Sequence, residues 1–404
     1  MMELRPILSA LTRNSAGAIL VSLQIAITLA IVVNAVFLVK QRVVQVHRPT
    51  GMDEQNMFSL RVTGFGPGFN FHDMVRSDLD LLRRMPGVVD VTPTPQVPLS
   101  GSGSSNRMYT EPNEKGQSEP VNYYEVDEHA IHAFGATLAS GKPFDASDIE
   151  YRTEESQKFP ASGKVIVSKG FADRIFRGEN ALGKVIYDNQ SQPLRIVGVI
   201  QHMQGSWLGW EKVDNVMLLP MVLKGPSTQY IVRTQPGELD RVMAATEQAL
   251  KSAMKNRVVG KLQTLALQKD RSYAGDTLIV VILGVVTGLV VIFSSLGIFG
   301  LATFNVNTRT RQIGTRRAVG ARRVDIVRYF LIENWVVTSA GVVVGCVLTL
   351  AGGYWLATRF GVKQLDLYYL VGGVLGLWIV GQLAAWQPSL RASKVSPAMA
   401  TRNV

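Results

Sequence analysis

The chain has 404 residues, 47% of them hydrophobic, with 42 Lys+Arg against 31 Asp+Glu, five histidines and one cysteine. Its apolar residues are gathered in four uncharged blocks (15–39, 278–304, 334–358 and 367–390), each longer than the roughly 20 residues needed to cross a ~30 Å hydrocarbon core, which excludes a single soluble globule. The net charge of +11 does not describe a nucleic-acid binder, because residues 40–277 carry 28 Lys+Arg against 27 Asp+Glu and the excess lies in short flanks beside the apolar blocks.

Residues 1–14 read as a short arm, and 15–39 as a first membrane helix. The uncharged run is too long for the 7–15 residues of a signal-peptide core, and no small-x-small cleavage site closes it, so a retained anchor is expected. Gln24 and Asn34 inside it point to contact with other helices. Residues 40–277 then have the pattern of a mixed α/β domain. A strand is expected over 58–62, a helix over 71–85 with Met74, Val75, Leu79, Leu82 and Met85 on one side, and a strand over 88–92. The same order recurs late: a strand over 229–234, a helix over 239–254, and a closing strand over 258–265. Two β-α-β units, about 40–100 and 225–277, imply one small sheet assembled from both ends of the segment. Between them, about 101–224, an inserted β-rich part is expected. There 100–105 and 111–119 read as loops, 165–168, 194–200 and 216–219 as strands, and 169–176 as a short helix. Cys346 falls in the third apolar block, so this domain folds without disulfides, as a domain of over 200 residues can.

Three motifs in the domain invite chemistry. Residues 178–184, GENALGK, match the opening of a phosphate-binding loop, but Val185 stands where Mg²⁺ needs Ser or Thr, and a turn leading into a strand is the simpler reading. His129 and His132, near Asp127 and Glu128, lack further ligands at metal-site spacing and read as surface histidines. Trp207 and Trp210, in QGSWLGWEK, are either core anchors or contact residues for a partner or membrane surface, with at least one expected in the core. Neither a nucleophile–base–acid constellation nor a cofactor motif is found, so no metal, cofactor or catalytic residue is assigned and the chain is not read as an enzyme by itself.

After the second apolar block (278–304), residues 305–330 hold seven arginines (Arg309, Arg311, Arg316, Arg317, Arg322, Arg323, Arg328) against Asp325 alone. The three flanks around 1–14, 305–330 and 388–404 carry net charges of +1, +6 and +3. Since Lys and Arg are retained on the cytoplasmic side, both termini and 305–333 are placed in the cytoplasm and 40–277 outside. Within the basic stretch a short helix over 310–319, ended by Gly320, is followed by a second helix from about Arg322, with Asp325 favourable in its first turn. Membrane helices over 334–358 and 367–387 follow, joined by an outer loop, 359–366, and a tail at 388–404.

The pattern Asn307-x-Arg309-x-Arg311-Gln-Ile-Gly-x-x-Arg317-Ala-Val-Gly-Ala321, followed by 326–333, resembles the signature after the second helix of MacB/FtsX-like ABC transporter permeases. Tyr123 and Val126, Gly141 and Phe144, Val165 and Val167, Leu182 to Ile186 and Ile196 to Val199 follow the order of that family's periplasmic core domain. Pro388, Leu390, Arg391 and Ala392, then Pro397, Ala398 and Ala400, resemble its tail. Gln312 replaces the usual acid, and the end, Thr401-Arg-Asn-Val, departs from the common Leu-Arg.

The resemblance implies an α+β membrane protein with four transmembrane helices and a large two-part extracytoplasmic domain between the first and second. It also implies a dimer of permease subunits in the cell inner membrane, driven by a separate ABC ATPase that binds ATP and Mg²⁺. In that family the helix between the second and third spans is the coupling helix. The implied contact set is Arg309, Arg311, Ile313, Arg316, Arg317, Ala318, Val319, Gly320, Ala321 and Arg322. Motion would pass along the first two helices to the outer domain, a mechanotransmission scheme. The implied task is efflux of a peptide, antibiotic or similar compound with a periplasmic adaptor and an outer-membrane duct. Lipoprotein extraction, or FtsX-like control of a cell-wall hydrolase, are the alternatives.

Overall fold

A computed structural model describes residues 15–67, 69–153, 159–361 and 363–396; the arm at 1–14 and the tail motif from Pro397 lie outside the described residues. In chain order the elements are helix α1 (Ser15–Val46), β1 (Met57–Gly64), α2 (Phe71–Arg83), β2 (Val88–Thr94), β3 (Ser104–Glu111), β4 (Lys115–Val126), α3 (Ala130–Phe134), β5 (Leu138–Gly141), β6 (Glu150–Thr153), β7 (Lys164–Ser168) and α4 (Lys169–Ile175). They continue as β8 (Val185–Tyr187), β9 (Pro193–Ile200), β10 (Val216–Lys224), β11 (Ser227–Thr234), α5 (Leu239–Ala253), β12 (Arg257–Val259), β13 (Gln263–Thr264), α6 (Leu265–Thr308), α7 (Thr310–Ala318), α8 (Arg323–Phe360) and α9 (Leu367–Ser393). The chain divides into a unit of His47–Gly275 and a helical unit formed by the rest.

In the His47–Gly275 unit the two β-α-β units interleave. The sheet order is β12-β1-β11-β2, so β11 sits between β1 and β2, while β1 sits between β11 and β12. Every pairing is antiparallel. Each unit therefore fills the gap that the other leaves, and neither makes a sheet alone. Helices α2 and α5 bury Met74, Val75, Leu79, Leu82, Val242 and Leu250 with Phe58, Leu60, Val62, Val91, Tyr230 and Val232 of the strands. Asn70 caps α2, its Oδ1 accepting from the amides of His72 and Asp73, as the free N–H groups of a first turn require. Inside this lobe Arg257 pairs with Asp78, both side chains 1% exposed, and the Tyr230 hydroxyl donates to the other Asp78 oxygen at 3.1 Å. Burial, the dominant effect, pushes the Asp78 carboxyl above its usual range against the pull of Arg257.

The inserted lobe is a second sheet of order β4-β3-β8-β9-β7-β10-β6. A parallel pairing of β10 with β4 brings the first six of these strands back on themselves, and an apolar core that includes Met108, Val121, Val165, Phe171, Ile196 and Met217 fills the ring. Two expectations change here. Residues 111–119 do not form a loop: a tight turn at Asn113 and Glu114, both at positive φ, joins β3 to β4, whose first residues continue the ladder with Glu111 facing Lys115. Gly, Ser and Pro in that stretch mark the hairpin rather than an irregular segment. The closing strand at 258–265 is instead two short strands, β12 and β13, both along β1, and Leu265 already starts α6.

Among the described residues, four helices are long and apolar enough to span a membrane. Helix α1, of 32 residues, and α6, of 44, run past the ends of their apolar blocks, and an Arg42–Asp276 ion pair of 2.9 Å ties the two extensions. Helix α1 is gripped by α8 at Gly341 and Gly345, where a Cβ would come 2.5 Å from the Ser22 carbonyl and 3.0 Å from Leu29. Polar groups add to this packing: Ser22 Oγ donates to Val337 O at 3.0 Å, Gln24 Nε2 to Phe293 O at 2.9 Å and Asn34 Nδ2 to Thr349 O at 3.2 Å. Helix α9 continues through Pro388 to Ser393, beyond the expected end at 387.

Candidate functional site

The basic stretch folds as its spacing predicts, a short helix, a glycine bend and a long helix. Helix α7 ends at Ala318, Gly320 takes φ +106°, and the Ala321 amide returns to Arg316 O at 3.0 Å. An L side chain at such a φ is strained, so glycine sets the direction in which α8 leaves. Asp325 accepts from the Arg322 amide at 2.9 Å, satisfying a free donor of the first turn of α8.

Underneath the bend is a small core of Val306, Ile313, Ile326, Phe330 and Ala392, with Ala321 and Val395 against it. Glu333, 3% exposed, takes 3.0 Å and 3.4 Å hydrogen bonds from Arg309 Nη1 and Asn305 Nδ2. Arg309 thus latches the end of α6 onto α8. Arg316 lies 4.7 Å over the Tyr329 ring, which holds the last turn of α7 against α8.

The expected contact residues divide accordingly. Arg309 and Ile313 are turned inward and Ala321 is half-buried; these three build the joint. Arg311, Arg316, Ala318, Val319, Gly320 and Arg322 are exposed, and Arg317 is intermediate. Val319 is 85% exposed at the tip of the bend, and Val324, which the resemblance leaves outside the set, is 72% exposed beside it. Among the described residues Arg311, Arg317, Arg322, Arg323 and Arg328 have no carboxylate partner. The result is an apolar tip ringed by free guanidinium groups, able to grip an apolar pocket with an acidic rim.

The other motifs fall elsewhere. Residues 178–184 turn from α4 into β8, with Gly178 and Gly183 at positive φ and Lys184 paired with Glu179 at 2.5 Å. His129 Nδ1 meets Asp90 at 2.9 Å, in a network where Arg83 pairs with Asp127 and Thr92 Oγ1 donates to Asp127 at 2.8 Å. Burial raises the Asp127 carboxyl to about 6, with Arg83 opposing the shift. No group of three metal-ligating side chains occurs among the described residues. Trp207 and Trp210 pack edge to face at 5.7 Å, both half-buried, and it is Leu208 between them that enters the core at 5% exposure.

Residues 18–252 match the family model described as the MacB-like periplasmic core domain, and 284–397 match the FtsX-like permease C-terminal model. Among curated relatives, the chain is 27% identical over 258 residues to an "Uncharacterized ABC transporter permease YknZ" of Bacillus subtilis, covering 62% of this chain and 64% of that protein. It is 24% identical over 359 residues to a "Macrolide export ATP-binding/permease protein MacB" of Acinetobacter baylyi, covering 83% of this chain and 49% of that one. The chain therefore spans between about half and two thirds of the length of these relatives. The crystal structure of the periplasmic region of MacB from Actinobacillus actinomycetemcomitans aligns at a TM-score of 0.32 and 18% identity, over 55% of this chain and 94% of that one. The core-domain match alone takes in more than half of the sequence; it opens within the first of the four apolar helices found among the described residues and ends before the second. The chain belongs to the MacB/FtsX-like family of ABC transporter permeases.

Proposed function

We propose that this chain is the membrane subunit through which a separate ABC ATPase, carrying ATP and Mg²⁺, drives the His47–Gly275 domain on the far side of the inner membrane. The carrying observation is the bend at Gly320, where Val319 and Val324 stand 85% and 72% exposed among guanidinium groups without acid partners. Two exposed valines on a helix–turn–helix held rigid from behind by Arg309–Glu333 suit a docking tip. The positive charge of the same stretch supports a cytoplasmic side for it, where ATP is. Helix α6 runs from this joint for about 66 Å at ~1.5 Å per residue to the domain end of the chain, and it supplies the transmitting rod. Its segment from Leu278 to Phe293 leaves large apolar side chains exposed on several sides, which a second permease subunit and lipid would cover. The MacB relatives are named for macrolide export, and on that ground we read the task as export of a peptide, antibiotic or similar compound, with a periplasmic adaptor and an outer-membrane duct as the expected partners.

The test is a Val319→Glu/Val324→Glu double variant. Neither side chain is in a core, so the protein is expected in the membrane at its normal level, while pull-down of the ATPase and its stimulation by the permease fall at least about tenfold, the effect of losing a central apolar anchor. Unchanged capture and stimulation would refute the docking site.

A further inference from the structure

The unit His47–Gly275 contains a polar cleft of about 430 Å³ between its two lobes, for which the ATPase reading has no use. One wall is the five-stranded sheet with the segment that follows β12, and it presents Ser59, Arg61, Gln229 and Lys261; the inserted lobe contributes Glu125. The volume lies in the ~300–1,000 Å³ range of small-molecule sites, at its lower end.

Glu125 is the unusual member. It is 6% exposed, near the end of β4, and among the described residues the one other side chain that hydrogen-bonds it is Gln96, whose Nε2 donates at 3.3 Å. Among the described residues it has no ion-pair partner, and burial raises its carboxyl to about 7. Gln96 is itself held, donating to Tyr123 O at 2.9 Å and accepting from the Ser104 amide at 2.7 Å, so the carboxylate is presented in a fixed place. An uncompensated buried carboxylate costs several kcal/mol. A glutamine would fill the same volume without that cost, and the fold therefore does not ask for the acid.

Arg61 and Lys261 are exposed and have no carboxylate partner among the described residues, whereas Glu125 is buried. A simple cation would have to share the cleft with two positive side chains. A simple anion would meet the buried carboxylate. A molecule with an ammonium group at one end and a carboxylate at the other satisfies both, and the neutral side chains of Ser59 and Gln229 provide donors and acceptors along its length.

We propose that this cleft binds a small zwitterion of the amino-acid or dipeptide class, with its ammonium group on Glu125 and its carboxylate on Arg61 and Lys261. This stands independently of the docking tip, since neither set of residues belongs to the other.

The experiment is isothermal titration calorimetry on the full chain in lipid nanodiscs, with L-alanyl-L-alanine, its N-acetylated form and its C-terminal amide as probes. Binding of the free dipeptide is expected, weakened at least about tenfold by N-acetylation and severalfold by amidation. Glu125→Gln should weaken the free dipeptide at least about tenfold while leaving the acetylated probe unchanged, and an Arg61→Gln/Lys261→Gln pair should remove the discrimination against the amide. Equal affinity of the free and acetylated dipeptides, full affinity in Glu125→Gln, or no heat from any probe up to about 10 mM would each overturn the assignment.

Discussion

Single residues decide whether a buried charge supports the fold or burdens it. Arg257 and Asp78 form a closed pair with Tyr230 and the Leu250 carbonyl, so removing one member strands the other. Arg257→Met should destabilise the His47–Gly275 domain by about 3–5 kcal/mol, and Arg257→Met/Asp78→Asn should recover most of that loss, as read from thermal unfolding of both variants. Glu125 is the opposite case. Its folded value, about 7, lies above the ordinary 4.5, so the folded state holds the proton more tightly and stability falls as pH rises from about 4.5 through about 7. The charges that share its cleft are Arg61 and Lys261, and Tyr123 lies on its own strand. Glu125→Gln should accordingly raise the melting temperature at pH 8 and change it much less at pH 5; equal shifts at both would contradict the buried, unpaired carboxylate. None of these partnerships was legible in the sequence. Glu125 stands in YYEVDEH among other acids, and its isolation arises from Gln96 and from a sheet wall whose strands come from far before and far after it in the chain. The inward turn of Ile313 and Arg309 was equally hidden, because α7 has nine residues with Ile313 and Gly314 its buried positions, too few to show a period, and Arg309 precedes its first turn.

At the scale of elements, periodicity and turn chemistry carried far. The helices at 71–85 and 239–254 and the strands beside them sit within a few residues of their expected places, since each helix has one apolar face, with Pro86-Gly87 after the first and Pro236-Gly237 before the second as punctuation. Gly320 announced the bend of the basic stretch, and the structure puts it at φ +106°. The β3–β4 hairpin escaped because its outer half is polar on both faces, leaving no alternation to read. Helix packing is a further property of elements that only the structure reveals. Gly341 and Gly345 lie one turn apart on α8 against α1, so Gly341→Leu should force the two helices apart and lower the yield of folded protein in detergent, whereas Gly284→Leu, where nothing lies within 4 Å, should not. Size-exclusion profiles of the two variants compare them directly.

At the largest scale, hydropathy lays out the membrane plan: four apolar helices among the described residues, with the folded unit between the first and second in the chain. Its sidedness is a prediction of charge bias. With Cys346, the sole cysteine, changed to alanine, a cysteine at Gly101 should react with a membrane-impermeant maleimide in intact spheroplasts, and one at Thr315 only after lysis. The reverse pattern would overturn both the orientation and the docking proposal. How the two lobes share the domain was half visible: the repeated β-α-β order pointed to one sheet built from both ends, but nothing in it told that the strands would alternate between the halves.

That alternation governs how the protein comes into being. Met57 pairs with Arg233 and Val62 with Val259, so the first strands and their helix leave the ribosome as an open sheet whose missing strands follow only after the entire inserted lobe. Contacts this distant in sequence are slow to form and leave edges unpaired meanwhile. The strands that complete the sheet are followed almost at once by α6 at Leu265. Completion of the His47–Gly275 domain and entry of the second membrane helix are thus nearly simultaneous events in biosynthesis. A nascent chain truncated before Ser227 should accumulate as a protease-sensitive, singly anchored species, and one extended past Thr308 should be resistant.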